Sequence, residues 1–181
     1  MDLGCGTGDL ILDTIKQNHG HKNFRFIGMD LSLPMMRLAK EKTGNSVLLV
    51  QGSSERLPIA SQSLDFVISA FVLRNVRKIM AETLSEIKRV LKPGGAALLL
   101  EMGLPEARWI RPFHRFYLKN ILPLIGRSVL GPSWSRDYLA ETIFQFWTPA
   151  EFCQIMAESG LRETRYEPLS MGLAGLYCGT K

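Results

Sequence analysis

The chain has 181 residues, 46% of them hydrophobic and 22% charged, with a formal net charge of +5 at pH 7. That is enough chain for one globular domain with a full core and too little for two, and the apolar content excludes a disordered chain. No apolar run approaches the roughly 18 residues of a membrane-spanning helix, and Cys5, Cys153 and Cys178 form no C-x-x-C pair that would suggest a disulfide framework or a zinc knuckle. The predicted elements begin with a helix over Asp9 to Asn18, where apolar residues recur at helical spacing. Phe24 to Met29 is a β-rich run that leads into Asp30, and Pro34 to Lys42 fits a helix with Ser32 as its cap. Val47 to Val50 and Leu64 to Ser69 read as strands, and Ile79 to Leu91 as a helix stopped by Lys92-Pro93-Gly94-Gly95. Ala96 to Leu100 is a strand that ends in Glu101. Strands alternating with helices predict an α/β fold: a doubly wound, mostly parallel sheet of the Rossmann-like kind.

The remainder of the chain changes character. Residues 105–143 are aromatic and helix-leaning, punctuated by Pro112, Pro123, Gly126, Gly131 and Pro132, and read as a helical insertion over the sheet's carboxyl edge. Pro149 to Ser159 reads as a helix capped by Thr148 and stopped at Gly160. Arg162 to Leu169 and Leu173 to Thr180 are expected to pair as an antiparallel hairpin at the sheet edge. Nothing marks a domain boundary, so residues 1–181 are expected to form one domain. No signal-peptide pattern opens the sequence, and a reducing cytoplasm is the expected compartment.

The first chemical signal is Gly4-Cys5-Gly6-Thr7-Gly8, flanked by Asp2 and Asp9. A dinucleotide fingerprint would need a third glycine where Asp9 stands. A helix N-terminus attracts phosphate, and an aspartate there repels it. Close-approach glycines beside the acidic Asp2 instead suit a phosphate-free cation, such as the amino and sulfonium groups of S-adenosylmethionine. An ordinary glycine-rich turn is the competing reading. The second signal is Asp30, at the end of the second strand, where a carboxylate can accept both hydroxyls of a ribose. The competing reading is a helix cap before Leu31-Ser32.

Together with Leu73-Arg74-Asn75-Val76 and Arg89-Val90-Leu91-Lys92-Pro93-Gly94-Gly95, these residues resemble the class I S-adenosylmethionine-dependent methyltransferases. Leu73 to Val76, Leu122-Pro123-Leu124-Ile125-Gly126 and Ser135 to Ile143, in that order, are similar to the ubiquinone/menaquinone biosynthesis C-methyltransferase family within that class. The resemblance spans essentially the whole chain. It implies C-methylation of a polyprenylated quinol, with S-adenosylmethionine held by Asp2, Gly4, Cys5, Gly6, Thr7, Gly8, Asp30, Leu31, Ser53, Ser54 and Ser69. Arg74 and Asn75 are the expected catalytic positions at the end of the fourth strand, Arg74 positioning a phenolate or a water rather than taking the proton itself. A salt bridge holding the strand end is the competing reading for Arg74. His114 is the one group in the insertion that titrates near neutrality and is a candidate base, against the plainer reading of a packed or solvated histidine. Tyr117, Arg136 and Tyr138 are expected to line the acceptor pocket.

The sequence departs from the family's pattern in three places. Members usually carry several dozen residues before the glycine loop, so an N-terminally truncated domain is expected. Ser53 stands where the family has Asp or Asn beside the adenine, and Val72 where it commonly has glycine. For partners, Arg108, Arg111, Arg115, Lys119, Arg127 and Arg136 are opposed between Pro105 and Arg136 only by Glu106, with Trp109, Phe113, Phe116 and Tyr117 interleaved. Such a stretch suits peripheral contact with anionic lipid at the inner membrane surface, where a hydrophobic quinol resides. The alternative is a solvated basic rim, and no nucleic-acid partner is expected, since no binding module for one is present. A homodimer, a quinone-synthesis assembly in which the chain is a non-catalytic scaffold, and a methyltransferase on another apolar small molecule remain open.

Overall fold

A single sheet with strand order β3-β2-β1-β4-β5-β7-β6 runs through the computed structural model, which describes residues 1–17, 24–105, 109–116, 120 and 138–181. In chain order the elements are β1 (Asp2–Leu3), α1 (Asp9–Gln17), β2 (Phe26–Asp30), α2 (Leu33–Thr43), β3 (Val47–Gln51) and β4 (Leu64–Ala70). A 3-10 helix (Leu73–Ile79), α3 (Met80–Val90), β5 (Leu91–Met102) and α4 (Arg111–Phe116) follow. The chain closes with α5 (Tyr138–Gln145), α6 (Pro149–Glu158), β6 (Arg162–Leu169), a 3-10 turn (Ser170–Gly172) and β7 (Ala174–Thr180). β1 to β5 are mutually parallel, and β7 runs antiparallel between β5 and β6. The expected doubly wound sheet and its antiparallel edge hairpin are therefore both present.

The main core lies on one face of this sheet. Leu84, Ile87 and Val90 recur at helical spacing along α3 and, with Phe152 and Met156 of α6, pack on Leu3, Met29, Val67, Leu99 and Tyr177 of the strands. The opposite face has a smaller cluster of Cys5, Ile11 and Val47 under α1. α6 begins where the sequence says it should. Thr148 Oγ1 accepts from Glu151 N while the Glu151 carboxylate accepts from Thr148 N at 2.8 Å, which satisfies two orphan donors at the helix start.

Two stretches differ from the expectation. β1 has only Asp2 and Leu3, yet it is central: Asp2 is in register with Gly28 of β2 and Ile68 of β4. β5 starts at Leu91, not Ala96, because the Lys-Pro-Gly-Gly stretch is an irregularity inside the strand rather than a loop before it. Leu91 pairs with Leu64 and Ala96 with Phe66, and the excess chain is absorbed in between. Gly94 adopts φ +77, and a Cβ on Gly95 would lie 3.0 Å from the Asp65 carbonyl, so the detour needs both glycines. Within the expected insertion the structure describes α4, α5 and a few flanking residues, and α5 packs against the Leu73–Ile79 turn with Ile143 buried.

Candidate cofactor and acceptor site

Strand order reverses between β1 and β4, and in an open α/β sheet this leaves a crevice at the carboxyl ends of those strands. The glycine loop occupies its rim. Gly4 N and Cys5 N both donate to the Met29 carbonyl, at 2.7 and 2.9 Å, and Gly6 N donates to Asp30 Oδ2 at 2.8 Å, so the loop is laced to the end of β2. All three glycines take positive φ, yet their surroundings differ. A Cβ on Gly4 would fall 2.8 Å from Val72 Cγ1 and closer still to Cγ2, so the glycine makes room for Val72. A Cβ on Gly8 would press on Ala39 at 3.3 Å, so this glycine lets α1 and α2 approach. A Cβ on Gly6 would meet nothing within 4 Å, which leaves an open cradle above its backbone.

Two carboxyl groups flank that cradle. Asp2 is 2% exposed. Burial pushes its carboxyl up to about 7, with the Met1 ammonium opposing the rise and Asp30 adding to it. Asp30 accepts from Gly6 N through Oδ2 and from Ser32 N through Oδ1, both at 2.8 Å. It therefore closes the turn into α2, whose N-cap is Ser32 without a side-chain cap bond, and clamps the loop at once, and each oxygen retains a further lone pair for a diol. Cys5 is buried, and burial first, then Asp2 and Asp30, push its thiol up to about 12, so only its backbone has a use here.

Asp9 requires a correction. Lys42 Nζ donates to its Oδ1 at 2.7 Å and Thr7 Oγ1 donates to its Oδ2, and these bonds hold the carboxyl below its usual range. Lys42 thus offsets the charge expected to repel a phosphate, and the preference for a cation rests on Asp2 and Asp30.

At the nucleoside side, Leu31 is 70% exposed beside Asp30. Gly52 N donates to the Asp30 carbonyl at 3.1 Å, which brings half-buried Ser53 to the same edge. The hydroxyls of two further expected contacts are committed elsewhere. Ser54 Oγ bonds Thr83 Oγ1 at 2.8 Å beneath α3, and Ser69 Oγ donates to the Leu3 carbonyl at 2.7 Å, tying β4 to β1.

At the acceptor side, Arg74 has the salt-bridge geometry. Its Nη1 donates to Glu101 Oε1 at 2.7 Å and to the Phe71 carbonyl at 2.6 Å, while Arg74 N donates to Glu101 Oε2 at 3.0 Å. Glu101 is fully buried and also accepts from Met102 N, so the pair locks the ends of β4 and β5 together. Arg74 Nε is buried without a partner among the described residues. Asn75 is exposed on the same 3-10 helix. His114 lies in α4 and Tyr138 opens α5; their side chains, and the whole of Tyr117 and Arg136, lie outside the described residues. The sequence marks Val72 as a departure from the family pattern and Glu101 as a strand end, and the structure adds the distant partner through which each acts, Gly4 and Arg74.

The cradle over Gly6, the buried acid of β1 and the diol-competent Asp30 fit S-adenosylmethionine: Asp2 suits its cationic end and Asp30 its ribose. Comparison with known proteins agrees. Residues 1–181 match the model of the ubiE/COQ5 methyltransferase family. The chain is 34% identical to the ubiquinone/menaquinone biosynthesis C-methyltransferase UbiE of Syntrophotalea carbinolica over 184 residues, covering 100% of this chain and 76% of that protein. It is 34% identical to the demethylmenaquinone methyltransferase of Deinococcus radiodurans, covering 100% and 74%. A crystal structure of a SAM-dependent methyltransferase from Methanosarcina mazei superposes with a TM-score of 0.69 at 21% identity, over 99% of this chain and 90% of the other. Matched from first residue to last by the family and one-third identical to its members, the chain belongs to the ubiE/COQ5 methyltransferase family.

Proposed function

We propose that this protein transfers the methyl group of S-adenosylmethionine to a ring carbon of a polyprenylated quinol precursor in ubiquinone or menaquinone biosynthesis. The observation that carries the reading is the convergence of Asp2, the Gly6 cradle and Asp30 at the β1/β4 crevice of a chain whose relatives bear that name. The cofactor supplies an activated methyl group on a sulfonium. The protein's part is alignment and exclusion of water. Held by Asp2, the Gly6 cradle and Asp30, the cofactor would give up its methyl group as the carbon–carbon bond formed, leaving a neutral thioether, and the ring proton would pass to water. A guanidinium offers donors and no acceptor, so Arg74 is not the base. Held by Glu101, it supplies fixed positive charge at the carboxyl edge, where it steadies the phenolate form of the ring.

The exposed aromatics of α4 and of the turn before it extend the reading to the substrate's location. Trp109, Phe113 and Phe116 are 74%, 71% and 60% exposed, and Arg111 Nε anchors the helix to the Pro105 carbonyl at 2.9 Å, just past β5. An apolar surface just past β5 supports peripheral docking on the cytoplasmic face of a bilayer. Among the described residues no helix is long and apolar enough to cross a membrane.

The test is transfer of labelled methyl from S-adenosylmethionine to short-tailed demethylbenzoquinol and demethylnaphthoquinol in micelles. Labelled carbon-methylated product from at least one is expected. Arg74→Lys keeps the charge without the forked hold and is expected to turn over at least tenfold more slowly. Arg74→Ala strands the buried Glu101 carboxylate at a cost of about 3–5 kcal/mol, so its activity is interpretable only beside a melting curve. A folded chain that binds the cofactor and methylates neither ring would overturn the proposal.

A further inference from the structure

The geometry points to Val72 as the residue that sets how large a group on the ligand's sulfur the crevice accepts. This rests on the cofactor reading above and deepens it. Val72 follows Phe71, which takes φ +60 at the end of β4. Its backbone is pinned on both sides: Phe71 N donates to the Leu100 carbonyl at 2.8 Å and Asn75 N to the Val72 carbonyl at 2.9 Å. The Phe71 carbonyl is held in turn by Arg74. A β-branched side chain on a pinned backbone has little rotamer freedom, so the isopropyl group is a fixed wall.

That wall fills the room above Gly4 that the missing side chain leaves, and the contact crosses the crevice from the β4 side to the β1 side. The order β2-β1-β4 puts Asp30 and Val72 on opposite flanks of the glycine loop. A ligand whose diol sits at Asp30 and whose cationic end is drawn toward Asp2 therefore directs its sulfur end toward Val72, not its nucleoside. Gly6, with open space above it, takes the close approach, and Gly4 does not. An apolar wall of fixed shape rejects an added methylene by roughly 10–200-fold. Arg74 and Glu101 contribute indirectly, because they hold the turn that presents Val72.

The test is calorimetric titration of the full chain with S-adenosylmethionine and with its S-ethyl analogue, S-adenosylethionine, for wild type, Val72→Ala and Val72→Thr. The wild type is expected to bind the ethyl ligand at least tenfold more weakly than the methyl ligand. In Val72→Ala that ratio is expected to fall below about threefold. Val72→Thr, with nearly the same volume, keeps the wild-type ratio, and circular dichroism shows that each variant is folded. An unchanged ratio in Val72→Ala overturns the assignment, as does an equal change in Val72→Thr, since polarity rather than volume would then be responsible. Absence of binding of either ligand by the folded wild type overturns the cofactor reading itself, and the two failures are thus distinct.

Discussion

Asp2 holds its proton into the neutral range because burial disfavours its charged form and Asp30 lies nearby, while the Met1 ammonium only partly compensates. A cationic ligand reverses that balance by favouring the carboxylate. Uptake of S-adenosylmethionine is therefore expected to release a proton below pH 7. Affinity rises with pH toward about 7, by at most tenfold per unit, and is flat above it. Titration at pH 6 in two buffers of different ionisation enthalpy checks this, and Asp2→Asn should remove both the proton release and the slope. The ligand-free fold responds in the opposite sense. An unfolded aspartate titrates near 3.8 and the folded Asp2 at about 7, so between these values the native state holds the proton that the unfolded state has lost. Stability from this group is thus present below pH 4 and falls as pH rises through 7. A melting temperature that rose across that window in wild type relative to Asp2→Asn would contradict the burial account.

The glycine loop shows how one short element divides its labour. Gly6→Ala places a methyl group in the open cradle at φ +53, with no neighbour to strike. It is expected to cost stability about 1 kcal/mol, from backbone strain alone, and cofactor affinity more than tenfold. Gly8→Ala combines φ +80 with pressure on Ala39 of α2, so it is expected to lower the melting temperature further. Equal losses of stability in the two variants would show that the surroundings do not discriminate. Elements of this kind were legible in the sequence where their code is local. Thr148-Pro149-Ala150-Glu151 announces α6, because its cap closes within four residues, and the β6–β7 hairpin follows from its two adjacent strand-like runs. Partners across the fold were not legible. Ser54 with Thr83, Ser69 with Leu3 and Arg74 with Glu101 lie 29, 66 and 27 residues apart, and no periodicity encodes such pairings. The Lys92–Gly95 segment looked like a loop for the same reason: the bulge it forms is defined by Leu64 and Phe66 on a different strand.

At the scale of the molecule, exposed apolar side chains gather at the carboxyl edge that bears the crevice. Gly103 N donates to the Leu173 carbonyl at 3.0 Å, so the turn with Met171, 76% exposed, stands beside the end of β5 from which α4 also departs. Trp109, in the turn before α4, and Phe113 of α4 are exposed, and in the sequence the stretch from Arg108 to Arg136 carries basic residues and no acid. On the proposed peripheral docking, two forces would favour an anionic bilayer: roughly 1.5–3 kcal/mol for each large apolar side chain buried and about 1 kcal/mol for each basic residue near the surface. They differ in their response to salt, since charges are screened over about 10 Å at 0.1 M and apolar burial is not. Co-sedimentation is expected to be strong with vesicles containing phosphatidylglycerol and weak with phosphatidylcholine alone. Raising salt from 0.1 to 0.5 M should loosen binding without abolishing it. Trp109→Ser with Phe113→Ser should weaken the salt-resistant part at least tenfold while leaving the salt-sensitive part. Complete loss of wild-type binding at high salt would leave electrostatics alone, and the exposed rings of α4 would then have no part in docking.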